Sequence, residues 1–156
     1  MQPASAKGRQ HRDAARAASA VGAAVMAALA VFETGLAVGL PWGAAAWGGS
    51  QPVLSPGLRL ASAGAAAVWM AGLLVVLRRG GYRVRSPLPG RWTGVAVWIL
   101  AAYAALMIVV NDASPSRTER AVMAPVSVVL AVACALTAQW GAAPSRRITP
   151  TGVESR

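Results

Sequence analysis

The sequence predicts an all-α, polytopic membrane protein: a bundle of four transmembrane helices with short loops and both termini cytoplasmic. Three observations carry this prediction. Hydrophobic residues make up 56% of the 156-residue chain and charged residues only 13%, against about 25% charged in soluble domains. The apolar residues gather into runs long enough to cross a hydrocarbon core about 30 Å thick, which takes roughly 20 helical residues. Most basic residues lie between alternate runs, on one side of a four-span arrangement.

The same arithmetic excludes other classes. A mean hydropathy of +0.50 is too high for a disordered chain. The lone Cys134 rules out a disulfide framework. A formal charge of +10 suggests anionic partners, yet nucleic acid is disfavoured because a basic patch needs a soluble scaffold to present it. Arginine outnumbers lysine 14 to one beside 36 alanines, a bias that GC-rich codons produce without selection at any site.

The first span covers residues 17–40, preceded by a basic cytoplasmic tail at 1–16. An alternative reading takes Ala28-Leu29-Ala30 as a signal-peptidase site, but the apolar run continues to full spanning length. Pro41 to Gly57 is uncharged and rich in glycine and proline, hence a surface or re-entrant loop. The second span covers 58–77, with Arg59 at its start, and Arg78 to Arg91 forms a basic loop. The third covers 92–110 and is uncharged throughout. The polar segment from Asn111 to Arg120 leads into the fourth, 121–140. The tail at 141–156 has no apolar face and is expected to be disordered.

Charge sets the orientation. Twelve of the 15 basic residues lie in the two tails and the middle loop, leaving Arg59, Arg117 and Arg120 on the other side. The positive-inside rule then puts both termini in the cytoplasm, as in a multi-pass protein of a bacterial plasma (inner) membrane. There the basic residues would also attract anionic lipid headgroups.

Glu33 is the acidic residue inside a span. An intramembrane carboxylate costs about 2.5–3.5 kcal/mol on insertion scales, so it usually faces protein or water. Glu33 lies seven residues, about 10 Å, below the end of its helix. The same depth in the other helices brings in Tyr103, Ser127 and, slightly higher, Ser62. A carboxyl with hydroxyls around it would titrate a proton or bind a cation. The structural alternative is that Glu33 snorkels or pairs with Arg59 or Arg120.

Local motifs have structural readings. Gly35 and Gly39 form the small-residue pattern of close helix crossings, within the bundle or in a homodimer. Ser114-Pro115 and Ser116-Arg117-Thr118-Glu119 each offer a start for the fourth helix, the second as a capping box. Pro125 is expected to kink that helix. Trp42-Gly43 and Trp47-Gly48-Gly49 read either as an interfacial segment or as a loop contacting a ligand above Glu33.

Chemistry is narrowed by what is missing. His11 is the one histidine and lies in the tail, so no haem, zinc or Ser/His/Asp set assembles in the spans. No phosphate-binding glycine loop occurs. The expectation is a non-enzymatic accessory or structural membrane protein, with no catalytic set, metal or cofactor, acting through membrane protein contacts. The alternative is a small proton- or cation-coupled transporter using Glu33; a carboxylate-dependent lipid-modifying enzyme comes third.

Pro41-Trp42-Gly43, Ala46-Trp47-Gly48-Gly49, Leu58-Arg59 and Asn111…Ser114…Ser116…Glu119-Arg120 together resemble a pattern in small bacterial four-helix membrane proteins. The resemblance spans about Phe32 to Trp140 and transfers no activity. It implies that Trp42, Trp47, Arg59, Asn111, Glu119 and Arg120 form one outer-face site.

Overall fold

The computed structural model describes residues 3–141 and is all-helical: α1 (Pro3–Val38), α2 (Pro56–Arg79), α3 (Gly90–Asp112) and α4 (Arg117–Trp140). Each helix is long and apolar enough to span a membrane. All four start before the runs of the sequence and α2 and α3 also end beyond them, because polar flanks such as Asn111-Asp112 and Arg117 to Arg120 continue the helical hydrogen-bonding; α1 instead stops at Val38, two residues short of its run.

The largest difference from expectation is at the amino terminus. Residues expected as a tail at 1–16 are helical from Pro3 onward, so α1 is about 54 Å long at 1.5 Å per residue. Ala14, Ala15, Ala17 and Ala18 favour helix, and the bundle holds the added turns. Ala15 and Ser19 are buried. The His11 ring stacks on Trp140 with centroids 5.2 Å apart, and the Arg16 guanidinium lies 4.5 Å over the Tyr82 ring. The disorder expected at 141–156 falls, from residue 142 onward, outside the described residues.

α1 packs along α2 on one side and α4 on the other, and α4 packs along α3. The ring closes only loosely, because α2 and α3 share a much shorter seam. The interior is built from small residues: Ala23, Ala101, Ala104, Ala133, Ala138, Ser62 and Thr137 are buried. Large apolar residues such as Val31, Leu60, Ile99, Val109 and Val132 are exposed. That distribution inverts a soluble core and suits helices that approach closely inside while facing lipid outside. Mid-bundle, Met26, Val76, Val97, Leu130 and Cys134 fill the centre.

The start of α1, the arginine-bearing α2–α3 connection and the end of α4 meet at one end, here the basic end. There the Arg79 Nη2 donates to the Ala138 carbonyl at 2.9 Å, satisfying a terminal carbonyl of α4. The α1–α2 and α3–α4 connections form the opposite, lid end.

Candidate functional site

The lid is rooted where α1 stops. Gly39, at φ +97°, reverses the chain in the left-handed region, and Leu40 N–H donates to the Gly35 carbonyl at 2.9 Å, the long bond of a Schellman cap. A Cβ on Gly35 would collide with the Trp42 ring. That ring also stacks on Phe32, with centroids 5.9 Å apart. Arg59 lies over Gly39, and its Nε donates to the Ala37 carbonyl at 2.8 Å. The Gly35/Gly39 pattern therefore admits the indole of Trp42 at Gly35 and, at Gly39, the guanidinium of Arg59 from the neighbouring helix α2.

Beyond this root the chain makes two 3₁₀ turns, Gly43–Ala45 and Trp47–Gly49. Trp47 itself has φ 54°, an unfavourable conformation for a bulky residue. Its indole Nε1 donates to Ser62 Oγ at 3.1 Å, which anchors the strained residue over the bundle.

The α3–α4 connection holds the lid from the other side. Ser116 is the N-cap of α4, its Oγ accepting from Glu119 N–H at 3.2 Å. The same hydroxyl donates to the Ala44 carbonyl at 2.6 Å. Only half of the capping box forms, because the Glu119 carboxylate turns to other donors. Its Oε2 accepts from Ser114 Oγ at 2.5 Å and from the Gly48 backbone N–H at 3.1 Å. Glu119 is thus a buried clamp between two loops. Pro125 does not interrupt α4, which runs through it to Trp140.

Under the lid lies a cavity of about 630 Å³. Ala45, Ala46, Trp47 and Gly48 roof it, and residues of all four helices wall it. Most of the wall is apolar, including Leu29, Phe32, Trp69, Met107 and Leu130. The polar exceptions are Glu33, Glu119, Tyr103, Asn111 and Ser127. Among the described residues no basic side chain lines it, so Glu33 and Glu119 are its charged groups.

These polar groups are not equally available. Ser127 Oγ accepts from Asn111 Nδ2 at 3.0 Å and donates to the Met123 carbonyl at 2.8 Å, so its hydroxyl is committed. Glu119 is held through Oε2. Ser62, behind the wall, stands beside Glu33 while receiving the Trp47 bond. Glu33 Oε2 is buried and, among the described residues, has no hydrogen-bond partner.

Of the intramembrane set expected from the sequence, Glu33, Tyr103 and Ser127 line the cavity and Ser62 backs it. Of the outer-face set, Trp47, Asn111 and Glu119 line it. Trp42 and Arg59 instead brace the lid root. Arg120 faces a separate shallow groove with Asp112 and Pro125, and its Nη1 donates to the Ser114 carbonyl. Neither arginine pairs with Glu33, so the structural ion pair expected for it does not form among the described residues. Three residues of each expected set therefore line one cavity.

Sequence reasoning missed Trp69 and Phe32. Trp69 follows Ser62 by seven residues, two helical turns on the same face, and that spacing was the available signal. Phe32, next to Glu33, had none beyond its neighbour. Among the described residues no group of three or more His, Cys, Asp or Glu side chains converges to hold a metal. Comparison with protein-family models, curated proteins and solved structures finds no match.

Proposed function

We propose that this chain is a non-enzymatic, multi-pass protein of a bacterial plasma membrane that binds a small ligand in the lid-end cavity, with Glu33 as the anchoring group. Both termini are cytoplasmic in this reading, because the arginines of the α2–α3 connection and the basic start of α1 share one end. The lid end then faces outward, and the basic end also attracts anionic headgroups.

The observation that carries the reading is the Glu33 Oε2 atom, buried and without a partner among the described residues, in a mostly apolar cavity. Ser62 supports the carboxyl from behind, but a buried carboxylate oxygen left without a donor is costly. A ligand that brings an N–H donor or a positive charge offsets that cost. The cavity also lies within the size range of small-molecule sites, about 300–1,000 Å³.

The test is binding of decylammonium to the full chain in lipid nanodiscs, read by tryptophan emission, since Trp47 and Trp69 line the cavity. Saturable binding is expected for decylammonium and not for decanol. Glu33→Gln should weaken it about 30-fold, because truncating one partner of a buried charge pair costs at least about 2 kcal/mol. Equal binding by the variant, or by the alcohol, overturns the reading.

Proton- or cation-coupled transport through Glu33 is the second reading, favoured by the placement of that carboxylate in the cavity. It needs a path to the basic end. Met26, Val76, Val97 and Cys134 fill the bundle below with buried apolar side chains, which supports binding over passage.

A further inference from the structure

The four walls of the cavity are not equally sealed. On the α4 side Ser127 and Leu130 are 7% and 2% exposed. On the facing edges of α2 and α3, lining residues are open: Val68 is 61% exposed, Tyr103 45% and Val110 49%. This is the seam where the helix ring closes loosely.

The seam has a definite shape. At Gly72 the two helices are close, since a Cβ there would sit 3.6 Å from Leu100 on α3 and 3.2 Å from the Met26 sulfur. Nearer the lid, the gap is bridged by Trp69 and Tyr103, whose ring centroids are 6.0 Å apart and tilted by 54°. Beyond them, residues from both helices line the cavity rather than each other: Ala65 and Val68 on α2, Met107 and Val110 on α3. α2 and α3 therefore meet at mid-bundle and part toward the lid, leaving a slot with an aromatic sill.

We infer that this slot is a lateral opening through which the cavity takes an amphiphile from the surrounding lipid, with a primary ammonium head at Glu33 and an apolar chain lying between α2 and α3. The inference rests on the binding reading above and names its ligand class and route. Charge complementarity selects the head. Among the described residues Glu33 offers an unpartnered carboxylate oxygen, Glu119 adds a second acidic group, and no basic residue lines the cavity. Geometry selects the chain. The slot walls are apolar or aromatic and open on the face where the bundle exposes its large side chains to lipid.

Access from the lid side is less open. Trp47 is tied to Ser62, Gly48 to Glu119, and Ala44 to Ser116. The lid side is thus closed down by three hydrogen bonds, whereas the slot is bordered at its sill by the packed rings of Trp69 and Tyr103.

The test uses the full chain in nanodiscs and a primary alkylamine carrying a diazirine midway along a ten-carbon chain. After photolysis, label should fall on α2 and α3 around Val68, Tyr103 and Val110, and Glu33→Gln should reduce it at least tenfold. Val68→Trp, at an exposed position clear of the core, fills the slot and should also reduce labelling about tenfold. Glu33-dependent label confined to the 39–55 loop or to α4 overturns the lateral route and leaves the binding reading standing. Label that Glu33→Gln does not change overturns both.

Discussion

Glu119→Ala is the sharpest test of how the two loops close the cavity. The carboxylate is 8% exposed and accepts two bonds through one oxygen, from Ser114 Oγ at 2.5 Å and from the Gly48 N–H at 3.1 Å. Bonds to an ionised acceptor contribute about 1.5–3 kcal/mol each. Removing the acceptor frees the lid from one such bond, so its local opening becomes easier by about 2 kcal/mol, or about 30-fold. The Ser116 cap accepts from the residue-119 backbone N–H, which alanine retains, so α4 itself should still start at Arg117. The assay is hydrogen exchange of the lid amides in nanodiscs, followed by mass spectrometry. Exchange at the Gly48 amide should rise about 30-fold in Glu119→Ala while amides in the middle of α4 are unchanged. Glu119→Gln keeps an acceptor and should fall between wild type and alanine. Unchanged Gly48 exchange in the alanine variant would refute the clamp.

Other outcomes follow from the same geometry. Gly35→Ala places a Cβ against the Trp42 ring and should cost about 1–3 kcal/mol as overpacking does, with loss of the Phe32 stack. Gly64→Ala, where a Cβ meets nothing within 4 Å, should be neutral or stabilise α2 by up to about 1 kcal/mol; thermal unfolding in detergent compares the two. Cys134 is a free, fully buried thiol, so N-ethylmaleimide should leave it unmodified until the bundle unfolds; rapid labelling of the native protein would contradict the core assignment. In a Cys134→Ala background, Arg85→Cys should be labelled by an impermeant maleimide only from the cytoplasmic side and Val53→Cys only from outside. The reverse pattern would invert the proposed orientation.

Particular residues show how far the sequence could be read. The spans were legible because each helix contains a long apolar stretch, which hydropathy along the chain reveals. Glu33, Tyr103 and Ser127 were legible as neighbours because counting residues from a helix end measures depth at 1.5 Å per residue. Depth is one coordinate, and it says nothing about rotation about the helix axis. Arg59 and Trp42 therefore looked like site residues by position, yet they brace the chain reversal at Gly39. The same blindness hid Trp69, which needed the pairing of α2 with α3 to acquire a role. The Gly35/Gly39 pattern was only partly legible, because a small residue signals that something approaches closely, here the Trp42 indole at Gly35 and Arg59 of α2 at Gly39.

At the amino terminus, charge concealed structure. Lys7, Arg9, Arg12 and Arg16 look like a solvated tail, but alanines between them favour helix and aromatic contacts at His11 and Arg16 hold it. Those contacts join residues distant in sequence, Trp140 and Tyr82, so no local pattern encodes them.

By itself the sequence determined the number of helices, the apolar lengths that suit them to a membrane and the place of Glu33 along its apolar run. These are sums over consecutive residues. Only the tertiary structure decided that Glu33 and Glu119 share one cavity, that a strained Trp47 roofs it and that α2 and α3 leave it open at the side. Each of those depends on which faces of four helices turn toward one another, and bonds between distant loops, not hydropathy, set that choice at the lid.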